Sequence, residues 1–89
     1  MAGAVSVNVR LFALYRERLE RDRLTLNVPS PATVATALTV LAEAHPRIGL
    51  LVDNTMVAVN QEYVDRAHAL EEGDEVALIP PVSGGAQVK

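Results

Sequence analysis

The apolar residues of this chain change period twice between Val5 and Val28, and few folds accommodate that change in so short a stretch. Val5, Val7 and Val9 alternate with Ser6, Asn8 and Arg10, the two-residue period of a strand with one buried face. From Leu11 to Arg23 the period lengthens. Leu11, Leu14, Tyr15 and Leu19 recur at three- and four-residue steps, with Arg16, Glu17, Arg18, Glu20 and Arg21 on the wet face of a short helix. Glu17 and Arg21 stand at i,i+4 on that face. Leu24, Leu26 and Val28 then return to alternation up to Pro29. A link this short predicts an antiparallel pair, with the helical turn folded into the connection.

The clearest helix signal follows. Thr33 is the expected N-cap, Val34, Leu38, Leu41 and Ala42 form one apolar stripe, and small alanines permit close packing. His45-Pro46 ends it, because the residue before a proline is pushed out of the helical region. Ile48 to Val52 is apolar and is expected to cover the sheet as a short turn or strand. Met56 to Val59 reads as a third strand buried on both faces, Asn60-Gln61 as a turn, and Tyr63-Val64 as a brief edge strand. Leu70 reads as a plug ahead of a tight turn in which Gly73 supplies positive φ, and Val76 to Ile79 as the last strand. These elements make an α+β roll, a mixed sheet of four to five strands around one main helix. The arrangement resembles the β-grasp fold of ubiquitin. Residues 1–83 are expected to form this domain and 84–89 a flexible C-terminal tail.

At 89 residues there is room for one small domain. Its aromatics are Phe12, Tyr15 and Tyr63, so the core must come from Val, Leu and Ile. The absence of cysteine excludes a disulfide, a thiolate metal site and a cysteine nucleophile. A sulfur-handling role therefore has no side-chain thiol to use. Met1-Ala2-Gly3-Ala4 lacks the basic segment of a signal peptide, and no run reaches the roughly 20 apolar residues of a membrane span. A cytoplasmic protein without a membrane partner is expected. Residues 1–47 carry six arginines against four acids, and residues 48–89 carry Arg66 and Lys89 against seven acids. That split argues against a nucleic-acid partner, which calls for a concentrated basic face with stacking aromatics. The acidic half is either an ordinary solvated surface or a match for a basic partner.

Side-chain chemistry is sparse. His45 and His68 lack the Cys, Asp or Glu spacing of a metal site, and His45 is most simply a helix-end residue. Ser83 has no base beside it, and Glu71, Glu72, Asp74 and Glu75 read as a solvated turn. Gly73, Gly84 and Gly85 match neither a P-loop nor a dinucleotide fingerprint. The chain is not expected to be an enzyme on its own or to bind a cofactor or metal.

The end of the chain is different. Ile79 is followed by Pro80-Pro81-Val82-Ser83-Gly84-Gly85. The prolines stop the strand and stiffen its exit, and Gly-Gly is the thinnest thread a polypeptide offers to a narrow active site. Extended, Val82 to Gly85 spans about 13 Å at roughly 3.3 Å per residue. A glycine carboxylate is inert until ATP converts it to an acyl-adenylate. Sulfide then yields a thiocarboxylate, whereas a thiol followed by a lysine yields ubiquitin-like conjugation. The bland alternative is a frayed terminus.

Asn60-Gln61-Glu62-Tyr63-Val64 and the run from Leu70-Glu71-Glu72-Gly73-Asp74-Glu75 through Gly84-Gly85 resemble the small, sulfur-carrier subunit of molybdopterin synthase. Val9-Arg10-Leu11-Phe12-Ala13 and the Ala32-Thr33-Val34 helix start are similar as well. The likeness runs almost to the end and departs at Ala86-Gln87-Val88-Lys89. It implies that a ubiquitin-activating-like adenylyltransferase uses ATP to adenylate Gly85, which is then sulfurated. The tail from Pro80 through Pro81, Val82, Ser83 and Gly84 would thread into the large catalytic subunit. There the sulfur passes to cyclic pyranopterin monophosphate to build the dithiolene of the molybdenum cofactor. The implied assembly is a heterotetramer, docked through Phe12, Leu78, Pro80 and Val82, although Phe12 is also compatible with core packing. Because Ala86 places an amide where the carboxylate must be, the resemblance implies trimming after Gly85 by a processing peptidase. The other readings are a sulfur carrier for thiamine or cysteine synthesis, a ubiquitin-like protein modifier, and a non-catalytic binding module.

Overall fold

The computed structural model describes residues 3–49 and 54–80. In chain order the elements are β1 (Val5–Leu11), α1 (Ala13–Leu19), β2 (Arg23–Val28), α2 (Val34–Ala44), a 3-10 turn (Pro46–Ile48), β3 (Met56–Val59), β4 (Glu62–Val64) and β5 (Glu75–Ile79). The five strands form one mixed sheet in the order β2-β1-β5-β3-β4. β1 pairs antiparallel with β2, placing Val7 opposite Leu26 and Val9 opposite Leu24. β1 and β5 are parallel, with Leu11 opposite Leu78. A parallel pair needs a long crossover, and α2 lies within that connection. The expected α+β roll is the fold observed.

One face of the sheet packs on α2. Val7, Val9, Leu11, Leu26, Val28, Val57, Val59, Val76 and Leu78 meet Val34, Ala37, Leu38 and Leu41, with Tyr15, Ile48 and Leu70 closing the ends. Fully burying a side chain such as Leu41, 1% exposed, is worth about 1.5–3 kcal/mol. Thr33 caps α2 as expected, its Oγ1 accepting from the Thr36 amide at 3.3 Å. The helix start is also tied to the loop before β5, since Val34 N donates to His68 O and Leu70 N to Ala32 O. At the other end His45 is the C-cap, and the 3-10 turn begins at Pro46.

Three local expectations change. α1 is shorter than the stretch from Leu11 to Arg23, because Leu11 satisfies the strand period equally well and pairs with Leu78. α1 stops at Leu19, where Glu20 adopts a left-handed conformation (φ 59°, ψ 35°). Arg21 therefore lies beyond the helix and the i,i+4 relation to Glu17 does not apply. The arginines that do organise this corner are Arg18 and Arg47, each donating from Nη1 to the other's backbone carbonyl at 3.3 and 3.2 Å. Finally, β3 is buried on both faces only from Val57 to Val59; Met56 is 47% exposed. Of the apolar stretch after Ile48, residues 50–53 lie outside the described residues.

Candidate functional site: the root of the C-terminal tail

β5 runs between β1 and β3 and ends at Ile79, with the half-buried Pro80 next. Of the residues expected to form the thread, Pro81, Val82, Ser83, Gly84 and Gly85 lie outside the described residues. The structure describes the strand that launches them, and both ends of that strand are pinned.

At the exit the pin is Thr55, 6% exposed. Its Oγ1 donates toward the Ile79 carbonyl at 3.0 Å and lies 3.3 Å from the Met56 carbonyl. One hydroxyl proton serves one acceptor at a time, and the Ile79 contact is the shorter. Behind Thr55 stands Tyr15, fully buried at the core end of α1. Burial pushes the Tyr15 phenol above its ordinary value, while a hydrogen bond with Thr55 and the charge of Arg66 pull it partly back. Thr55 thus links the Tyr15 phenol to the last carbonyl of β5.

At the entry Asn60 and Asp74 close the hairpin turn onto the start of the strand. Asn60 Nδ2 donates to Asp74 Oδ1 at 3.0 Å, and the Glu75 amide donates to Asn60 Oδ1 at 3.0 Å. Asp74 Oδ2 accepts from the Glu71 amide at 2.8 Å. Gly73, at φ 85°, donates its amide to Ser6 O at 2.8 Å. The turn is solvated, as the sequence reading expects, with Glu71 and Glu72 exposed, and the Glu72, Asp74 and Glu75 carboxylates also accept hydrogen bonds.

The face of the sheet away from α2 carries the exposed apolar side chains. Met56 pairs with Ile79, and Ala77, Ala58 and Tyr63 form a cross-strand row. Directly opposed residues share a face, so small alanines floor this side while Met56 (47% exposed) and Tyr63 (67% exposed) stand over it. Phe12 follows the Leu11–Leu78 pair and is 37% exposed, which removes it from the core. The Arg10 guanidinium lies 5.5 Å from its ring centroid and bonds Glu75 Oε2 at 3.1 Å, fixing the ring beside the final strand.

Leu78 does not join this surface. It is 1% exposed and belongs to the core cluster, because alternation along β5 sends Val76 and Leu78 inward and Ala77 and Ile79 outward. The neighbour Ile79 occupies the outward position assigned to Leu78. Val82 lies outside the described residues. Sequence reasoning missed Thr55, Met56 and Tyr63 as site residues. Met56 carried a usable signal, since it alternates with the inward Val57 and Val59; Thr55 carried none. Among the described residues no group of three His, Cys, Asp or Glu side chains is placed to hold a metal ion, and no helix is long and apolar enough to cross a membrane.

A mixed sheet in this order, packed on α2 by one face, defines a ubiquitin-like β-grasp protein. The chain belongs to the ThiS family, whose profile matches residues 9–85. It is 40% identical over 86 residues to the molybdopterin synthase sulfur carrier subunit of Drosophila melanogaster, covering 91% of this chain and 92% of that one. The subunit of the same name from Arabidopsis thaliana is 35% identical over 83 residues, covering 93% and 86%. Among solved structures, SAMP1 from Haloferax volcanii superposes with a TM-score of 0.79 at 36% identity, over 90% of this chain and 99% of that one. A chain of the complex of subunits 1 and 2 of molybdopterin-converting factor from Helicobacter pylori shares the fold, with a TM-score of 0.63 at 22% identity over 91% of this chain and 100% of that one.

Proposed function

We propose that this chain is the sulfur-carrier subunit of a molybdopterin synthase, bearing sulfur as a thiocarboxylate on Gly85 after residues 86–89 are removed. The observation that carries the reading is the family match, which runs from Val9 in β1 to Gly85, in a chain that resembles carriers over nine-tenths of its length. Without cysteine, the backbone terminus is the place where such a protein can hold sulfur.

In this reading an adenylyltransferase spends ATP to convert the Gly85 carboxylate to an acyl-adenylate. Sulfide from a donor then displaces AMP. The chain supplies no catalytic side chain; it supplies a rigid launch strand and a narrow thread. Pro80, Pro81, Val82, Ser83 and Gly84 lead the sulfur into a large catalytic subunit, a partner supported by the Helicobacter pylori complex of the two subunits. The exposed face with Phe12, Met56, Ile79 and Tyr63 offers that subunit an apolar seat beside the launch point. A processing peptidase is required by Ala86-Gln87-Val88-Lys89, because an amide at Gly85 cannot be adenylated.

Reconstitution tests this directly. The 1–85 chain, converted to its thiocarboxylate, is mixed with a large subunit and cyclic pyranopterin monophosphate, and product dithiolene is measured. Product from 1–85 and none from 1–89 is expected. Sulfur delivered only to thiazole or cysteine precursors would assign the carrier to the alternative pathway.

A further inference from the structure

Residues 1–85 contain seven arginines and no lysine; the chain's single lysine is Lys89, four residues beyond Gly85. Arg10, Arg16, Arg18, Arg21, Arg23 and Arg47 are exposed and Arg66 is half-buried, so the cationic surface of the fold is built from guanidinium groups alone. We infer that the mature chain is a non-acceptor. Its activated terminus finds no side-chain amine on another copy, so no isopeptide-linked chain of copies is built through the side chains of residues 1–85.

The chemistry follows from the proposed activation of Gly85, on which this inference rests. The carbonyl carbon of an acyl-adenylate is attacked by the lone pair of a free amine. The C–N amide bond forms, the bond from carbon to the phosphate oxygen breaks, AMP departs with the electron pair, and the amine proton passes to water. Lysine, with an ordinary pKa near 10.4, always keeps a small free-base fraction. Arginine, whose guanidinium is a far weaker acid, keeps at least roughly a hundredfold less. A carrier surface of arginine therefore retains positive charge for docking and salt bridging, as Arg10 does with Glu75, while presenting no side-chain amine to its own activated siblings. The cut after Gly85 removes Lys89 together with the extension.

The test adds a lysine. The 1–85 chain contains every described element. It and its Arg16→Lys and Arg21→Lys variants are prepared as Gly85 thioesters, held at mildly alkaline pH, and analysed by intact mass and peptide mapping for Gly85 linked to a side chain. Both positions are exposed, and a melting curve confirms that each variant folds. The expected result is a covalent dimer linked through the new lysine, roughly a hundredfold above the parent chain, in proportion to the free-base fractions. Side-chain-linked dimers of the parent chain, or variants no more reactive than the parent, overturn the inference. The same chains incubated with ATP and an activating enzyme report separately on the carrier reading. A parent chain that is never adenylated defeats that reading and leaves the thioester result standing.

Discussion

Thr55 Oγ1 lies 3.0 Å from the carbonyl oxygen of Ile79, so a buried hydroxyl just before β3 holds the last residue of β5 where the tail begins. Thr55→Val keeps the shape and removes the donor, taking from the Ile79 carbonyl this hydrogen bond and from Tyr15 its link to Thr55. The expected cost is about 1–2 kcal/mol. For a domain of this size that lowers the melting temperature by about 4–8 °C per kcal/mol. Thr55→Ser restores the donor and recovers most of the loss. A valine variant melting with the parent chain would show that the contact contributes nothing.

Tyr15 makes stability fall at high pH. Its phenol is raised by burial above the ordinary value of 10.0, so the unfolded chain loses this proton first. The contribution is complete below about pH 10 and is lost as pH climbs from there through the folded value. Denaturant titrations between neutral pH and about pH 11 should show a steeper alkaline decline for the parent than for Tyr15→Phe. Tyr15→Phe is less stable at neutral pH because it breaks the link to Thr55. Parallel alkaline declines would contradict the assignment.

Two turn residues predict changes of opposite sign. Gly73 sits at φ 85°, and a Cβ built there meets nothing within 4 Å. Gly73→Ala therefore costs only the left-handed backbone, about 1–2 kcal/mol. Gln61 holds φ 75° beside Asn60 at φ 51° in the β3–β4 hairpin, where Asn-Gly is the favoured pair. Gln61→Gly should gain about 0.5–1 kcal/mol, the relief of strain less the added chain entropy. Chemical denaturation of the two variants against the parent reads both signs.

Phe12 and Leu78, placed together on the docking surface by resemblance, should separate on mutation. Leu78→Ala empties core volume and costs about 2–5 kcal/mol. Phe12→Ala forfeits little beyond its contact with Arg10, within about 1 kcal/mol, while weakening association with the large subunit. Melting curves and calorimetric titration of the complex distinguish the two. A Phe12→Ala chain that binds like the parent would remove the ring from the docking face.

That pair also shows where sequence legibility ended. Period alone located β1, β2, α2 and β5, because Val5–Val9, Leu24–Val28, the stripe from Val34 and Val76–Ile79 each satisfy one repeat. Gly73 and Asn60-Gln61 were legible as turns because their chemistry is local. Leu11 was ambiguous because it fits both the strand before it and the helix after it, and only pairing with Leu78 resolved it. The resemblance places Leu78 on the docking surface, although the alternation Val76, Leu78 points it inward. Thr55 was invisible, since its role depends on a carbonyl 24 residues away.

The central claim is that Gly85 becomes the chain's sulfur-bearing terminus, and the intact mass of the protein from its native cells tests it most directly. The mass is taken before and after incubation with ATP, an activating enzyme and a sulfide source. The account predicts a chain ending at Gly85 whose mass rises by one exchange of oxygen for sulfur. A chain that still ends at Lys89 and is unchanged by the incubation contradicts it.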